Sequence, residues 1–193
     1  MAATDLELWL IRHGETEWSL SGKHTSRTDL PLTERGKERA EKIREYLAGR
    51  SFSMVLTSPM LRARQTCEIA GFGSVAQIDN DLSEWDYGVY EGRTTKDIQK
   101  EIPNWSVWSN PIIGGETIDH VAERARRVIA RAAAKGGSVA LFAHAHILRI
   151  LAACWIESPP VLASRLALET GSVSTLGYER ETRVVSMWNR SLE

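Results

Sequence analysis

The stretch Leu6-Glu7-Leu8-Trp9-Leu10-Ile11-Arg12-His13-Gly14 decides the architecture. Leu6 to Ile11 reads as a buried strand that breaks abruptly into a guanidinium, an imidazole and a glycine. The same grammar recurs downstream. Ser53 to Thr57 is a short apolar strand ending at Ser58-Pro59, and a helix follows at once with Arg62 in its first turn and Gly71 at its end. Ser138 to Ala143 is another strand, ending at His144, with a helix from about His146 to Ile156. Between these units, Thr33 caps a helix in which Ala40, Ile43 and Leu47 recur at helical spacing until Gly49. A longer helix from Thr117 carries Ile118, Val121, Ala122, Ala125, Val128, Ile129 and Ala132 on one face until Gly136-Gly137. A brief strand near Val75 to Ile78 and two final strands, Ser172 to Tyr178 and Val184 to Trp188, complete the pattern. A long loop follows the first strand. Residues 93–115, with Trp105, Trp108 and little periodicity, read as a short insert or lid. Strand and helix alternate, which predicts an α/β three-layer sandwich whose central sheet is mostly parallel and flanked by helices.

The composition narrows the function classes. The chain has 193 residues, 24 basic and 25 acidic side chains, a net charge of -1 and 42% hydrophobic residues. That suits one domain over 1–193 and argues against disorder. With the signs balanced, no global field would hold the protein on nucleic acid or an anionic membrane, so any anion must be captured locally. Cys67 and Cys154 make neither a metal-ligand spacing nor a disulfide framework, which favours a reducing cytoplasm. Met1 to Asp5 shows no basic leader, and the most apolar run, Ile147 to Ile156, is short and contains Arg149, so no signal peptide or membrane span is expected. The sequence does not address oligomeric state.

In open α/β sheets, ligands bind beyond the carboxyl ends of the strands. Applied here, that rule selects Arg12 and His13 after the first strand and Arg62 after the second. It also selects Glu84 in the loop Leu82 to Gly92, and His144 after the central strand. Taken singly, each has an ordinary structural explanation: a strand-end cap, a solvated helix arginine, a hydrogen-bonded carboxylate, a core histidine. Their coincidence on one edge has none. Two guanidiniums match the oxygens of a phosphoryl group, a neutral imidazole attacks phosphorus, and a carboxyl group supplies the proton for the leaving oxygen.

The local wording is more specific still. Leu10-Ile11-Arg12-His13-Gly14-Glu15-Thr16, Asp29-Leu30-Pro31-Leu32-Thr33 with Gly36, and Thr57-Ser58-Pro59-Met60-Leu61-Arg62-Ala63-Arg64-Gln65-Thr66 closely resemble the histidine phosphatase superfamily. The resemblance continues through Glu84-Trp85-Asp86-Tyr87-Gly88-Val89-Tyr90-Glu91-Gly92, Gly114-Gly115-Glu116-Thr117 and His144. It implies a phosphoglycerate mutase-like fold, phosphorylation of His13, phosphoryl binding by Arg12, Arg62 and His144, and Glu84 as proton donor and general base. Apolar neighbours are expected to raise the pKa of Glu84. Ser19 and Thr25 stand at positions near the phosphate in the mutases, and each is equally well read as a loop-stabilising hydroxyl. Ser26 and Ala145 depart from the family's glycines, which questions close backbone approach there.

Between Gly92 and Gly115 the chain lacks the adjacent arginines with which mutases grip their substrate, offering Arg93, Lys96 and Lys100 instead. Water should then reach a phosphohistidine, so hydrolysis outranks transfer. The wording near Gly14 to Ser19 and Gly22 to Thr25 is similar to a branch with acid phosphatases and sugar-bisphosphate phosphatases. The expected partners are small phosphate esters, sugar phosphates among them, with no cofactor and no metal. Lys23, His24 and Arg27 are candidates for a second anionic group of the substrate, against a solvated basic loop. Trp105 and Trp108 stand either over the substrate or in the core. Three rivals remain: a cofactor-dependent phosphoglycerate mutase, a non-catalytic phosphate-binding module, and a metal hydrolase built on His144, His146 and His24, which lacks a carboxylate or Cys at matching spacing.

Overall fold

The computed structural model describes residues 5–192; the expectation of a missing leader falls almost wholly outside them. Six strands form one sheet: β1 (Glu7–Arg12), β2 (Met54–Thr57), β3 (Gln77–Ile78), β4 (Ser138–Ala143), β5 (Val173–Glu179) and β6 (Thr182–Arg190). Their spatial order is β3-β2-β4-β1-β5-β6. The first four strands in that order run parallel, whereas β5 is antiparallel to β1 and forms a hairpin with β6.

β1 is buried along its middle because helices cover both faces. Its alternating side chains enter two different cores. Leu8 and Leu10 join Leu56, Val139 and Leu141 against α5 (Ile118–Lys135) and α6 (Ala145–Trp155). Trp9 and Ile11 join Val55, Ala140 and Phe142 against α2 (Glu34–Leu47) and α3 (Leu61–Ile69). This is the predicted three-layer arrangement.

Two short elements depart from the sequence reading. The loop after β1 contains α1 (Glu17–Ser21), closed at its start by a reciprocal Thr16–Ser19 capping box and at its end by Gly22 at φ 72°. Five residues carry no helical periodicity, so only the Thr16-x-x-Ser19 pair announces it. The strand expected over Val75 to Ile78 shrinks to Gln77–Ile78, because the N–H groups of Val75 and Ala76 both turn back to the Phe72 carbonyl.

The insert carries α4 (Thr95–Gln99), capped by Thr94, and buries Ile98, Trp105 and Val107 in the α5–α6 core. Its far end locks onto the Glu84 loop. Glu116 donates its N–H to Asp86, accepts from the Trp85 indole at 2.8 Å and is held by both ends of the Arg124 guanidinium. Arg124 also donates to the carbonyls of Asp81 and Ser83, so one α5 side chain fixes the path into Glu84.

Candidate active site

Parallel register delivers the site. Arg12 lies opposite Ala143, and Thr57 opposite Phe142, so β1, β2 and β4 end side by side. His13 then donates its N–H to Ala143, and Ser58 to Phe142. The turn at His13 is pressed against the first turn of α2. A Cβ on Gly14 would stand 2.3 Å from the Gly36 carbonyl oxygen, and one on Gly36 would stand 2.2 Å from that of Glu15. Only paired glycines allow this approach.

A cavity of about 190 Å³ opens at these strand ends, lined by Arg12, His13, Glu84, Tyr87 and His146, with Thr16, Ser19, Lys23, His24 and Thr25 toward the α1 side. Nδ1 of His13 lies 2.7 Å from the Gly14 carbonyl, which can only accept, so Nδ1 carries the proton and Nε2 the lone pair. Burial, then the charges of Arg62 and Arg12, hold this imidazole well below its ordinary pKa, hence neutral. Arg12 donates to the Leu168 carbonyl, while its buried Nε has no partner among the described residues. Burial lowers its pKa from 12.5 to about 10. A desolvated, under-partnered guanidinium beside a free imidazole lone pair is a binding place for an anion.

Arg62 and His144 lie behind His13 and are fully buried. The His13 and His144 rings are 5.1 Å apart, centroid to centroid. Arg62 donates Nε–H to His144 Nδ1 at 3.1 Å, and its remaining donors hold the carbonyls of Thr25, Ser26 and Thr28. His144 therefore carries its proton on Nε2, 2.7 Å from Ser58 Oγ. With both nitrogens so engaged, it does not converge with His24 and His146 as a metal triad would require. The 25–28 loop is set from its other side by Glu91, which accepts from the N–H groups of Ser26 and Thr28 and from Ser26 Oγ. Ser26 thus replaces a glycine with a buried, bonded hydroxyl.

Glu84 reverses one expectation. Burial pushes its carboxyl upward, but the neighbouring His146 side chain, with His144 and the backbone, outweighs it and holds the group well below the carboxylate range. Its oxygens accept from the N–H of Trp85 at 2.9 Å and, at the start of α6, from those of His146 at 3.1 Å and Ile147 at 3.0 Å. A helix N-terminus favours the charged form, and the residues following Ala145 provide it.

The secondary candidates divide. Ser19 and Thr25 line the cavity, yet Ser19 Oγ serves the capping box and Thr25 Oγ1 bonds the Lys23 carbonyl. Lys23 stands over the Trp18 ring at 5.4 Å. His24 packs edge-on to Trp105, and burial lowers its pKa to about 4. Arg27 instead pairs with Asp86 at the surface, outside the cavity lining. Trp105 and Trp108 back the lining residues without forming the wall.

Tyr87 and His146 are two titratable lining residues to which sequence reasoning gave no part in the phosphatase reaction. Tyr87 Oη lies 2.6 Å from His146 Nδ1. The available signals were the spacing of Tyr87 three residues after Glu84 and of His146 two after His144.

A family model described as the histidine phosphatase superfamily (branch 1) matches residues 8–191. An acid phosphatase of Mycobacterium tuberculosis is 35% identical over 191 residues, covering 97% of this chain and 94% of that protein. A sedoheptulose 1,7-bisphosphatase of Saccharomyces cerevisiae is 36% identical over 179 residues, 76% of this chain and 66% of its own length. The solved structure of an open reading frame product of Mycobacterium tuberculosis superposes with a TM-score of 0.93 at 33% identity, covering 98% of this chain and all of that one. With the strand-end imidazoles, guanidiniums and carboxylate in this order, the chain is an enzyme of the histidine phosphatase superfamily, branch 1.

Proposed function

We propose that this protein hydrolyses small phosphate monoesters, sugar phosphates among them, through a phosphohistidine on His13. One observation carries the reading: the Nδ1 proton of His13 is committed to Gly14, so Nε2 faces the reaction as a lone pair beside the under-partnered Arg12. In the first step Nε2 attacks phosphorus, the P–O ester bond breaks, and Glu84 protonates the departing oxygen. In the second, Glu84 takes a proton from water as the new O–P bond forms and the N–P bond breaks. Arg12 meets the phosphoryl oxygens from the cavity wall. Arg62 and His144 stabilise their charge from behind His13.

Hydrolysis is favoured over transfer because two of the insert's three cations are engaged elsewhere: Arg93 pairs with Glu101 and Lys100 with Asp97 at the surface. We read 1–193 as one domain whose 93–115 insert backs the site, with Ser19 and Thr25 as phosphate-side hydroxyls and Lys23 and His24 bordering the leaving group. Its place is the cytoplasm, consistent with the two unpaired, buried cysteines; among the described residues no helix is long and apolar enough to cross a membrane.

The test is to quench turnover in alkali and map the phosphoryl group by mass spectrometry, alongside a panel of phosphate monoesters. Phosphate release with label on His13 is expected. Full activity in His13→Ala would end the proposal, and fast 3-phosphoglycerate isomerisation with little phosphate release would replace it with the mutase reading.

A further inference from the structure

Glu84 must hold a proton to assist a leaving oxygen, yet its three backbone N–H donors favour the carboxylate. The other imidazoles beside it are committed, His13 to the Gly14 carbonyl and His144 to Arg62 and Ser58. His146 is placed differently. Its Nδ1 lies 3.7 Å from Glu84 Oε2 and 2.6 Å from Tyr87 Oη. Its ring lines the cavity, and among the described residues Nε2 has no hydrogen-bond partner.

We propose that His146 is the proton shuttle between Glu84 and cavity water, and that Tyr87 is the positioning residue that sets its ring. This rests on the phosphomonoesterase reading above. A proton from water binds Nε2, and the imidazolium releases its Nδ1 proton to Glu84 Oε2. The neutral ring then accepts the Tyr87 O–H at Nδ1. Glu84 passes the proton to the leaving oxygen as the ester bond breaks and the His13 N–P bond forms. The attacking water later returns a proton to Glu84. When phosphate leaves, that proton retraces the path to water, and the enzyme ends the cycle unchanged.

The surroundings suit the task. The negative charge of an arriving phosphate ester raises the proton affinity of Glu84 and draws the proton across. The rings of Trp108, Tyr87 and Trp85 stand 4.9, 5.7 and 6.0 Å from His146, and aromatic faces stabilise a transient imidazolium. Tyr87 stays a phenol, since burial and then the charge of Glu84 push its pKa well above 10. His24, 6.5 Å away, is neutral down to about pH 4. The fixed charges facing the group are Arg12 from β1, Arg62 from α3 and Arg149 one turn further along α6, each of which interacts with Glu84.

The experiment compares kcat/KM across pH for glycerol phosphate, whose leaving oxygen needs a proton, and p-nitrophenyl phosphate, whose leaving group does not. His146→Gln is expected to lose about tenfold or more activity on glycerol phosphate beyond its loss on the aryl ester. Added imidazole should recover part of that deficit in His146→Ala. Tyr87→Phe should shift the ratio the same way, by less, and serves as the readout if the His146 variants do not fold. Equal losses on both esters, or no imidazole rescue, would overturn the shuttle. Trapping phospho-His13 in the unsubstituted protein separates the two claims: without it the phosphatase reading fails, and with it an unchanged ratio removes the shuttle alone.

Discussion

The two sides of the cavity are built on opposite principles. On one side, Arg62 and His144 are sealed from solvent and every side-chain nitrogen is hydrogen-bonded: Nε of Arg62 to His144, the guanidinium ends to three loop carbonyls, and the His144 proton to Ser58. On the other, Glu84, Tyr87 and His146, all titratable, touch the cavity and neighbour one another, with His146 Nδ1 2.6 Å from Tyr87 Oη and 3.7 Å from Glu84 Oε2. In the proposed reaction the sealed side supplies a fixed positive field and costs no reorganisation. There the open side supplies protons and must stay in contact with water. A hydrolytic phosphohistidine cycle requires both, one for charge on phosphorus and one for the leaving oxygen and the attacking water.

The strongest way to break the sealed side is Arg62→Met. It leaves His144 Nδ1 and the carbonyls of Thr25, Ser26 and Thr28 without their donor, at a cost of about 3 kcal/mol or more in folding stability. Denaturant unfolding and steady-state kinetics together check this, and activity should fall by about 100-fold or more.

Glu84→Gln breaks the open side instead. The amide keeps the shape but cannot carry the proton, so kcat/KM for alkyl phosphates should fall by about 100-fold or more while aryl phosphates suffer less. Equal losses for the two substrate classes would show that Glu84 serves the field and not the proton.

Acid separates the sides further. His13 and His144 are held neutral inside, so between the unfolded value of 6.5 and their depressed folded values the unfolded chain binds more protons, and stability falls with pH. His24 adds to this between 6.5 and about 4. The contribution of Glu84 is present above 4.5 and is lost as pH falls through its lowered value. Thermal unfolding should therefore show the highest Tm near or above neutral pH and a decline below 6.5, flattened in His24→Phe. Over the same range, kcat/KM for alkyl phosphates should rise as the pH becomes mildly acidic, because Glu84 must gain a proton. Stability and rate moving in parallel would contradict that division.

The smallest effect marks the edge of the site. Arg27 pairs with Asp86 on the surface, so Arg27→Ala should change stability by about 0.5 kcal/mol or less and leave KM unaltered. A severalfold rise in KM would bring Arg27 back into substrate binding.

Much of this was legible in the residues. Buried strands that stop at Arg12-His13, at Ser58 and at His144 announce themselves by apolar runs ending in polar residues, and a parallel sheet brings such ends together. The α1 turn, the shortened β3 and the bonding of Arg27 to Asp86 were not, because each depends on one or two hydrogen bonds rather than on a repeating pattern. The same holds for the direction of the Glu84 shift. Leu82, Trp85 and Tyr87 suggest an apolar pocket that would raise it, but what lowers it, the His146 side chain first, then His144 and the N–H groups at the start of α6, lies about sixty residues away in the chain.

The sequence by itself therefore determined the layers, the strand ends and which polar residues gather there, since hydrophobic periodicity and punctuation are local. Only the tertiary structure decided their chemical states. Which nitrogen of His13 is free, why Glu84 is ionised, and which imidazole can reach it with a proton all follow from contacts between segments that meet only when the sheet is closed by its helices.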